Sequence, residues 1–310
     1  MKLPTELMQK LGIQQPVILG PMMGVGTPEM VVAVTNSGGL GSFAASALNG
    51  DGIRATVSSI RERTQGPFNI NLFVQETPRP TAQALQKAFA LLNPIRAELG
   101  LAPATPLASY CEDFRAQLEV LIELKLPVVS FTFGLLDAES VERLHRAGSM
   151  VIGTATNTAE ARAWKDNGAD IICAQGAEAG GHRGTFIGGY DGSMIGTMAL
   201  VPQIVDGVGL PVIAAGGIMD GRGIAAALAL GAQAVQMGTA FLVTKEAGTH
   251  PSWKEKIRGA CDTSTRTTKT FTGRAARGID NEFMQRMQAY EDDVPPYPIQ
   301  NALTNDIRLA

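Results

Sequence analysis

The feature of this sequence that most constrains its fold is a regular alternation of short β-rich apolar runs with longer segments of helical spacing. The apolar runs cover residues 17–19, 40–43, 68–73, 128–132, 150–154, 170–174, 211–215 and 234–237. The amphipathic segments cover residues 28–37, 53–64, 112–124, 138–147, 158–166 and 223–230. Because strands that are buried on both faces show continuous apolar runs, this pattern predicts a parallel sheet wrapped in helices.

Eight strand-and-helix units favour a closed (β/α)8 barrel, the TIM-barrel class of α/β folds, over a doubly wound sheet, which normally needs fewer strands. Two segments interrupt the rhythm, residues 77–106 after the third strand and residues 176–196 after the sixth strand. Loops that follow strands line the catalytic mouth of a barrel, so we expect both insertions there. The alternation stops beyond Phe241. We therefore predict a barrel over residues 1–245, insertions included, and a C-terminal extension over residues 246–310 that packs on the barrel near the mouth.

Composition and charge disfavour several classes of function. The 310-residue chain is 45% hydrophobic and 18% charged, and a formal net charge of −3 without blocks of like charge disfavours nucleic-acid binding. Its three cysteines form no CxxC pair, which favours a reducing compartment, and its three histidines form no HxxxH pair, so we expect no metal site. The N-terminus lacks a signal-like apolar region and no apolar run could span a bilayer, so we expect a cytoplasmic protein without a membrane partner.

Two glycine turns follow the last two predicted strands, at Gly216-Gly217 and at Gly238-Thr239. Barrels commonly bind phosphate after strands seven and eight, because glycine lets backbone N–H groups approach phosphate oxygens and a short helix then presents its positive N-terminus. Tight turning alone would also explain each glycine pair. Residues 221–226 match a weak dinucleotide fingerprint, but Phe241 stands where a ribose-binding acid is needed, so these residues are interpreted as the start of a helix.

Polar and soft side chains follow other predicted strands. Asn71, Gln175, Met22 and Met23 lie at strand ends, where an amide could bind a flavin's pyrimidine ring and methionine could lie against an aromatic face. Taken singly, such an amide more often satisfies local backbone, and methionine is more often core. His182 lies between glycines in the sixth-strand insertion, where imidazole could act as an acid, a base or a hydrogen-bond donor. We assign no role to His145 or His250.

Five segments together resemble the nitronate monooxygenases, formerly called 2-nitropropane dioxygenases. They are GPMM at residues 20–23, NINLF at 69–73, QGAEAGGHRG at 175–184, AGGI at 215–218 and QMGT at 236–239. The resemblance runs from about residue 12 to about residue 304. The same motifs are similar to those of FMN-dependent enoyl-ACP reductases and some NAD(P)H:quinone reductases, while Arg183 and Thr185-Phe186 look more like the nitronate enzymes.

The resemblance implies a cofactor, a catalytic residue and a pocket residue. It implies FMN bound by Met22, Met23, Asn71, Gln175, Gly180, Gly216, Gly217, Gln236, Met237, Gly238 and Thr239. His182 would be catalytic and would face the substrate, and Tyr297 resembles a tyrosine that closes the nitronate pocket. Family members usually continue through a further C-terminal helical segment, whereas this sequence ends at Ala310. The resemblance therefore does not tell how the pocket is closed.

The implied activity is oxidation of a small alkyl nitronate by dioxygen to a carbonyl compound and nitrite. The partners would be a nitronate or nitroalkane and dioxygen, with propionate 3-nitronate as one candidate. The main alternative is an NAD(P)H-dependent flavin reductase acting on an enoyl thioester or quinone. A metal-free phosphosugar isomerase or lyase and a noncatalytic flavin carrier are further alternatives. The sequence leaves the oligomeric state open, with a homodimer as one option.

Overall fold

The computed structural model describes residues 3–310 and places eight parallel strands in one sheet. These strands are β1 (Val17–Leu19), β2 (Gly41–Ala44), β3 (Phe68–Phe73), β4 (Val128–Thr132), β5 (Met150–Ala155), β6 (Ile171–Gln175), β7 (Val212–Ala215) and β8 (Ala234–Met237). Their order in the sheet is β1-β8-β7-β6-β5-β4-β3-β2, and an isolated parallel bridge between Ile18 and Leu40 joins the two edges. The predicted (β/α)8 barrel is confirmed, and no strand end differs from its prediction by more than one residue.

Helices follow most of the barrel strands, and all six predicted helical segments are present. The helices are α1 (Glu6–Leu11), α2 (Pro28–Asn36), α3 (Gly50–Arg61), α4 (Ala82–Glu98), α5 (Phe114–Glu123), α6 (Ala138–Arg146), α7 (Thr158–Asp166), α8 (Thr197–Val208), α9 (Gly221–Ala229), α10 (Pro251–Arg258), α11 (Glu282–Met287) and α12 (Ile299–Leu303). Three 3-10 helices cover Asp191–Ser193, Thr239–Phe241 and Gln288–Tyr290. Polar N-cap side chains, such as Asn49 for α3 and Asn157 for α7, accept backbone N–H groups and set the helix starts. None of the helices within residues 3–310 has the length and apolar character that crossing a membrane requires.

The barrel interior is apolar at the N-terminal ends of the strands, and α1 covers it there. Leu7, Met8 and Leu11 of this helix pack with interior residues such as Ile171 and Ile213. Two hydrogen bonds attach α1 beside the start of β8: Thr5 Oγ1 donates to Gln233 O at 2.8 Å, and Leu7 N donates to Gln233 Oε1 at 2.8 Å. Because α1 covers the N-terminal ends of the strands, the open end of the barrel is the one at their C-terminal ends.

A larger apolar layer lies between the strands and the surrounding helices. Trp164 of α7 is fully buried in it, stacks on Phe131 with ring centroids 6.3 Å apart, and donates from Nε1 to Thr154 O at 3.2 Å. Burial of a side chain this large contributes several kcal/mol, on the order of the cost of Trp→Ala substitutions. This packing fixes α7 against β5, and α7 carries the buried carboxylate of Glu160.

The chain divides into two compact units. The first contains residues up to Gln75 together with Phe114–Arg258, and the second contains Glu76–Asp113 and Gly259–Ala310. Helix α4, which the sequence did not predict, belongs to the second unit. The domain boundary at residue 245 and the packing of the extension near the mouth stay predictions.

The second unit has a strand pair and a core of its own, and a further two-residue strand, Gly181–His182, belongs to the first unit. In the second unit, strands β9 (Thr265–Thr268) and β10 (Ala276–Ile279) pair antiparallel, with Thr265 opposite Ile279. Its core joins α4 to α12 through buried residues that include Leu92 and Leu303. The shared core explains why the insertion after β3 and the C-terminal residues form one unit.

Candidate active site

The loop after β6 lies against the glycine turns that follow β7 and β8. A methyl group added at Gly216 would lie 3.0 Å from Ala179 N and 3.1 Å from Gly176 O, and one added at Gly180 would lie 3.0 Å from Thr239 Oγ1. These separations are tighter than ordinary van der Waals contact, so side chains at these glycines would displace their neighbours. The structure therefore brings three predicted cofactor residues together, Gly180, Gly216 and Thr239.

The turn after β7 has a backbone conformation that favours glycine. Gly216 has φ +112° and Gly217 has φ +72°, and both values lie in the region that L-residues avoid. A methyl group added at Gly217 would also lie 3.1 Å from Glu178 Cβ. The turn thus keeps its backbone accessible only because neither residue carries a side chain.

The helix N-termini near these turns differ in whether they are capped. Asp220 caps α9, because its Oδ1 accepts from Arg222 N at 2.9 Å and from Gly223 N at 3.3 Å. The 3-10 helix Thr239–Phe241 after β8 has Gly238 at its N-cap position and no side-chain cap. The expectation that a helix N-terminus is presented after each turn therefore holds after β8 but not after β7, where a carboxylate already accepts the N–H groups.

The loop after β1 contacts the β8 turn. Gly20 N donates to Met237 O at 2.7 Å, and a methyl group added at Gly238 would lie 3.6 Å from Met22 Sδ. Met22 and Met23 are both half-buried, and Gln236 on β8 pairs in register with Ile18 of β1. Met22 thus lies beside the β8 turn, and the packing of Met22 and Met23 on a flavin ring stays a prediction.

Gln175 at the end of β6 holds the loop that carries His182. Its Nε2 donates to His182 O at 3.0 Å, and its Oε1 accepts from Gly184 N at 2.8 Å. The side chain therefore satisfies local backbone in this structure, which is the simpler of the two interpretations that the sequence allowed.

A patch of polar side chains lies inside the barrel between β2 and β4. Asn71 Nδ2 donates to Ser130 O at 3.2 Å and to Ser130 Oγ at 3.0 Å, and Asn69 Nδ2 is 2.8 Å from Ser130 Oγ and 3.2 Å from Ser42 Oγ. Asn69 Oδ1 is buried and has no hydrogen-bond partner within the described residues. Since a buried acceptor without a donor is costly, this atom marks a place where a bound molecule could donate. Asn69 was missed by the sequence analysis, although it stands two residues before Asn71 on the same strand face.

The His182 imidazole stands edge-on to two aromatic rings. Its centroid lies 6.2 Å from that of Phe73 at an interplanar angle of 78°, and 5.4 Å from that of Phe133 at 85°. Phe133 follows β4 directly and has φ +80°, a strained value for a bulky residue. The two phenylalanine centroids are 4.2 Å apart. The imidazole is thus half-buried on an aromatic surface at the C-terminal ends of β3 and β4.

Comparison with known proteins identifies the family. The nitronate monooxygenase family model matches residues 5–310. The chain belongs to the nitronate monooxygenase family. The resemblance seen in the sequence is thereby confirmed, and the chain is an oxidoreductase of this family.

Curated relatives and solved structures agree with the family assignment. A probable nitronate monooxygenase of Staphylococcus haemolyticus is 44% identical over 305 residues, which are 98% of this chain and 85% of the relative. The crystal structure of a nitroalkane oxidase from Streptomyces ansochromogenes has a TM-score of 0.88 at 39% identity and covers 96% of this chain and 85% of that one. FabK from Thermotoga maritima has a TM-score of 0.73 at 33% identity, covering 94% and 79% of the two chains.

Arg183, which with Thr185-Phe186 looked more like the nitronate enzymes than the enoyl reductases, turns toward its own loop and the end of β6. The side chain is buried, and its guanidinium donates to Gln175 O and to Ser193 O. In this family member the arginine therefore connects β6 to the segment around Ser193.

Tyr297 lies in the second compact unit and is partly buried. Burial raises the pKa of its phenol above the ordinary value, so the hydroxyl stays protonated at neutral pH. The other predicted site residues all lie in the first unit. The role of Tyr297 at the substrate stays a prediction.

No metal site accompanies these residues. Within residues 3–310, no three or more His, Cys, Asp or Glu side chains are grouped so that they could hold a metal ion.

Proposed function

We propose that this chain binds FMN and oxidises alkyl nitronates with dioxygen, releasing a carbonyl compound and nitrite. One observation carries the proposal: the loop that bears His182 contacts the glycine turns after both β7 and β8. A phosphate held at those turns would set the rest of a cofactor beneath the same loop. When bound, FMN would supply the electron transfer between nitronate and dioxygen.

The residues at the mouth fit an FMN phosphate. The uncapped 3-10 helix Thr239–Phe241 and the accessible backbone at Gly217 would provide N–H donors, and the Thr239 hydroxyl would add one more. A side chain at Gly180 or Gly216 would collide with neighbouring atoms and displace these turns. Gly238, Met237 and Gln236 would complete the phosphate side.

The other predicted cofactor residues would serve the flavin ring. Met22 lies beside Gly238 and, with Met23, would pack on the ring. Asn71 and Gln175 would hydrogen-bond to its polar edge, using the lone pairs and N–H groups that their present contacts leave over.

His182 would bind and orient the substrate. An imidazole N–H can donate to a nitronate oxygen, and a neutral imidazole can take the acidic proton from the carbon of a nitroalkane. The Phe73 and Phe133 rings against its edge would exclude water from the reacting carbon and would strengthen these electrostatic contacts. Tyr297 would close the substrate pocket.

Replacing His182 tests this role. In His182→Asn we expect kcat/KM for propionate 3-nitronate to fall about 10–100-fold with FMN still bound, because a hydrogen bond to a charged oxygen contributes about 1.5–3 kcal/mol. His145→Asn is the matched control, because His145 Nε2 lies 2.9 Å from Asp170 Oδ2, beside the N-terminal end of β6 and away from the mouth. Oxygen uptake and nitrite release measure the rate. Equal rates for His182→Asn and the parent protein would remove His182 from the mechanism.

A flavin reductase fed by NAD(P)H is the competing interpretation of the same motifs. Anaerobic mixing separates the two activities: a nitronate should bleach the flavin absorbance in the proposed enzyme, and NAD(P)H should bleach it in a reductase. Rapid bleaching by NAD(P)H alone would overturn the proposal. A protein purified without any flavin absorbance would overturn both.

A further inference from the structure

One carboxylate at the mouth is fully buried and is not explained by the proposed cofactor site. Glu160 lies in the first turn of α7 and has 0% of its surface exposed. Carboxylates are almost never buried to this extent unless hydrogen bonds compensate for the lost hydration. Its partners therefore indicate what the side chain does.

Both oxygens of Glu160 accept two hydrogen bonds each. Oε2 accepts from Thr156 N at 2.6 Å and from Thr156 Oγ1 at 2.7 Å. Oε1 accepts from Phe186 N at 2.6 Å and from Ile187 N at 2.9 Å. One oxygen thus binds the end of β5, and the other binds the backbone of the loop that carries His182.

Glu160 itself is held firmly, because α7 is fixed to the barrel strand β5. Glu160 N donates to the N-cap residue Asn157 at 2.9 Å, and Trp164 one turn later is fully buried against β5. Several side chains anchor the loop: Gln175 holds the backbone at His182 and Gly184, and Glu160 holds it at Phe186 and Ile187. Asn157 Nδ2 adds a donor to Ile187 O at 3.2 Å, and Arg183 donates to Gln175 O and Ser193 O.

Hydroxyl groups extend this network along the loop. Thr156 Oγ1 lies 2.9 Å from Thr185 Oγ1, which lies 2.7 Å from Ser193 Oγ, and Ser193 donates to Tyr190 O. Three hydroxyl protons serve these contacts and the bond from Thr156 to Glu160, so only three of the four form at once, and the contact between Thr156 and Thr185 places a loop hydroxyl beside the hydrogen bonds of the buried carboxylate. Rotation of that carboxylate would be transmitted to the backbone that presents the imidazole.

We propose that Glu160 is a positioning residue for His182: its carboxylate fixes the loop at Phe186 and Ile187 and thereby sets the orientation of the imidazole toward the substrate. The inference rests on the proposed function, because it assigns Glu160 a role in that reaction. A misplacement of about 1 Å in a reacting group can cost about 10²-fold in rate.

Glu178 provides the comparison, because it is a second carboxylate beside the same loop that accepts a backbone N–H group, in this case from the first residue of α8. It accepts from Thr197 N at 2.8 Å and from Thr197 Oγ1 at 2.8 Å, at the start of α8, and it lies beside Gly217. It therefore supports the phosphate side of the loop, whereas Glu160 supports the His182 side. Glu142, an exposed residue of α6, is a surface control.

The experiment combines hydrogen exchange and a double-mutant cycle on the flavin-loaded protein with FMN titration of the flavin-free protein. In Glu160→Gln we expect faster amide exchange at Phe186 and Ile187, an FMN Kd within about threefold of the parent value, and kcat/KM lowered about 10–100-fold. In Glu178→Gln we expect the FMN Kd to rise while exchange at Phe186 and Ile187 stays slow. Glu142→Gln should match the parent protein in all three measurements.

The cycle separates positioning from general destabilisation. If Glu160 acts through His182, adding Glu160→Gln to His182→Asn should lower the rate by less than about threefold further, because the group being positioned is already gone. Fully multiplicative effects, or unchanged kinetics with Glu160→Gln alone, would overturn the inference while leaving the proposed function intact. Unchanged kinetics with His182→Asn would instead overturn the proposed function.

A second variant covers the case in which Glu160→Gln does not fold. Thr156→Val removes one of the four hydrogen bonds to the carboxylate and keeps the shape of the side chain. It should change exchange at Phe186 and kcat/KM in the same direction, by about two- to tenfold, and the change in rate should again disappear in the His182→Asn background. A rate loss that persists in that background would count against positioning.

Discussion

The turn after β7 can be tested by adding a single methyl group. Gly216→Ala places Cβ 3.0 Å from Ala179 N, 3.1 Å from Gly176 O and 3.1 Å from Thr197 Oγ1, at a residue whose φ is +112°. Two costs follow: backbone strain at Gly216 and displacement of the loop after β6. Two other glycines separate these costs, because Gly188 has φ +85° with open space around it, and Gly189 has open space and no such strain.

The expected losses in the free energy of unfolding follow from these geometries. Left-handed backbone costs an L-residue about 1–2 kcal/mol, and overpacking costs about 1–3 kcal/mol more. Gly216→Ala should therefore lose about 2–5 kcal/mol. Gly188→Ala should lose only the strain, about 1–2 kcal/mol, and Gly189→Ala should stay within about 1 kcal/mol of the parent protein.

Equilibrium unfolding in urea of the flavin-free protein measures these differences, and fluorescence titration measures the FMN Kd. Because the methyl group at residue 216 displaces the loop that contacts the turn, we expect the Kd of Gly216→Ala to rise about tenfold or more, which corresponds to about 1.4 kcal/mol. The Kd should not change in Gly188→Ala or Gly189→Ala. If Gly216→Ala and Gly188→Ala have the same free energy of unfolding and the same FMN Kd, the contact between residue 216 and the loop after β6 contributes no energy.

Two further predictions concern the second unit and the cysteines. Hydrogen bonds from Ser264 and Thr263 lower the pKa of the exposed Cys261 thiol to about 7, so its alkylation by iodoacetamide, followed by mass spectrometry, should have a midpoint near pH 7. Burial raises the pKa of Cys173 to about 12, so that thiol should stay unmodified in the folded protein. Arg96 lowers the pKa of the Asp306 carboxyl, with which it pairs at 2.7 Å, and Asp306→Asn should cost about 1–2 kcal/mol at pH 7, reduced because the carboxylate is half exposed. Since a lowered pKa stabilises the fold only where the unfolded carboxyl would be ionised, urea unfolding should show this difference above about pH 4 and lose it as the pH falls further.

The barrel could be predicted because its strands are buried on both faces and therefore read as continuous apolar runs. Helix α8 illustrates what could not be predicted. Its N-cap residue Gly196 has no side-chain cap, and the N–H of Thr197 is accepted instead by Glu178, nineteen residues before Thr197 in the chain. A cap from a distant residue leaves no local signal. Helix α4 was missed for a different reason, because Pro94 reads as a helix breaker but is accommodated inside the helix.

The sequence indicates candidate site residues where a role depends on residue type, and it does not where the role depends on side-chain direction. Two kinds of residue stand out in the sequence: Gly216 and Gly217, which directly follow a predicted strand, and His182, which lies between glycines. Glu160 does not, since an acidic residue in the first turn of a helix is ordinary on dipole grounds alone. Only the fold shows that its side chain turns inward to the backbone at Phe186 and Ile187. Phe133 is similar, because nothing in its sequence context predicts φ +80°.

The carboxylates of the mouth also determine where an anion can bind. Glu178 accepts the first N–H of α8, and Asp220 accepts the N–H groups at the start of α9, so both helix N-termini already hold a negative charge from the protein itself. A phosphate at either helix N-terminus would find these N–H groups already accepted by a carboxylate. The 3-10 helix at Thr239 is uncapped, and its neighbours Gly238 and Gly180 add no bulk. The protein's own acids thus leave the turn after β8 as the favourable position for a phosphate among these three N-termini, which is the position that the proposed FMN site requires.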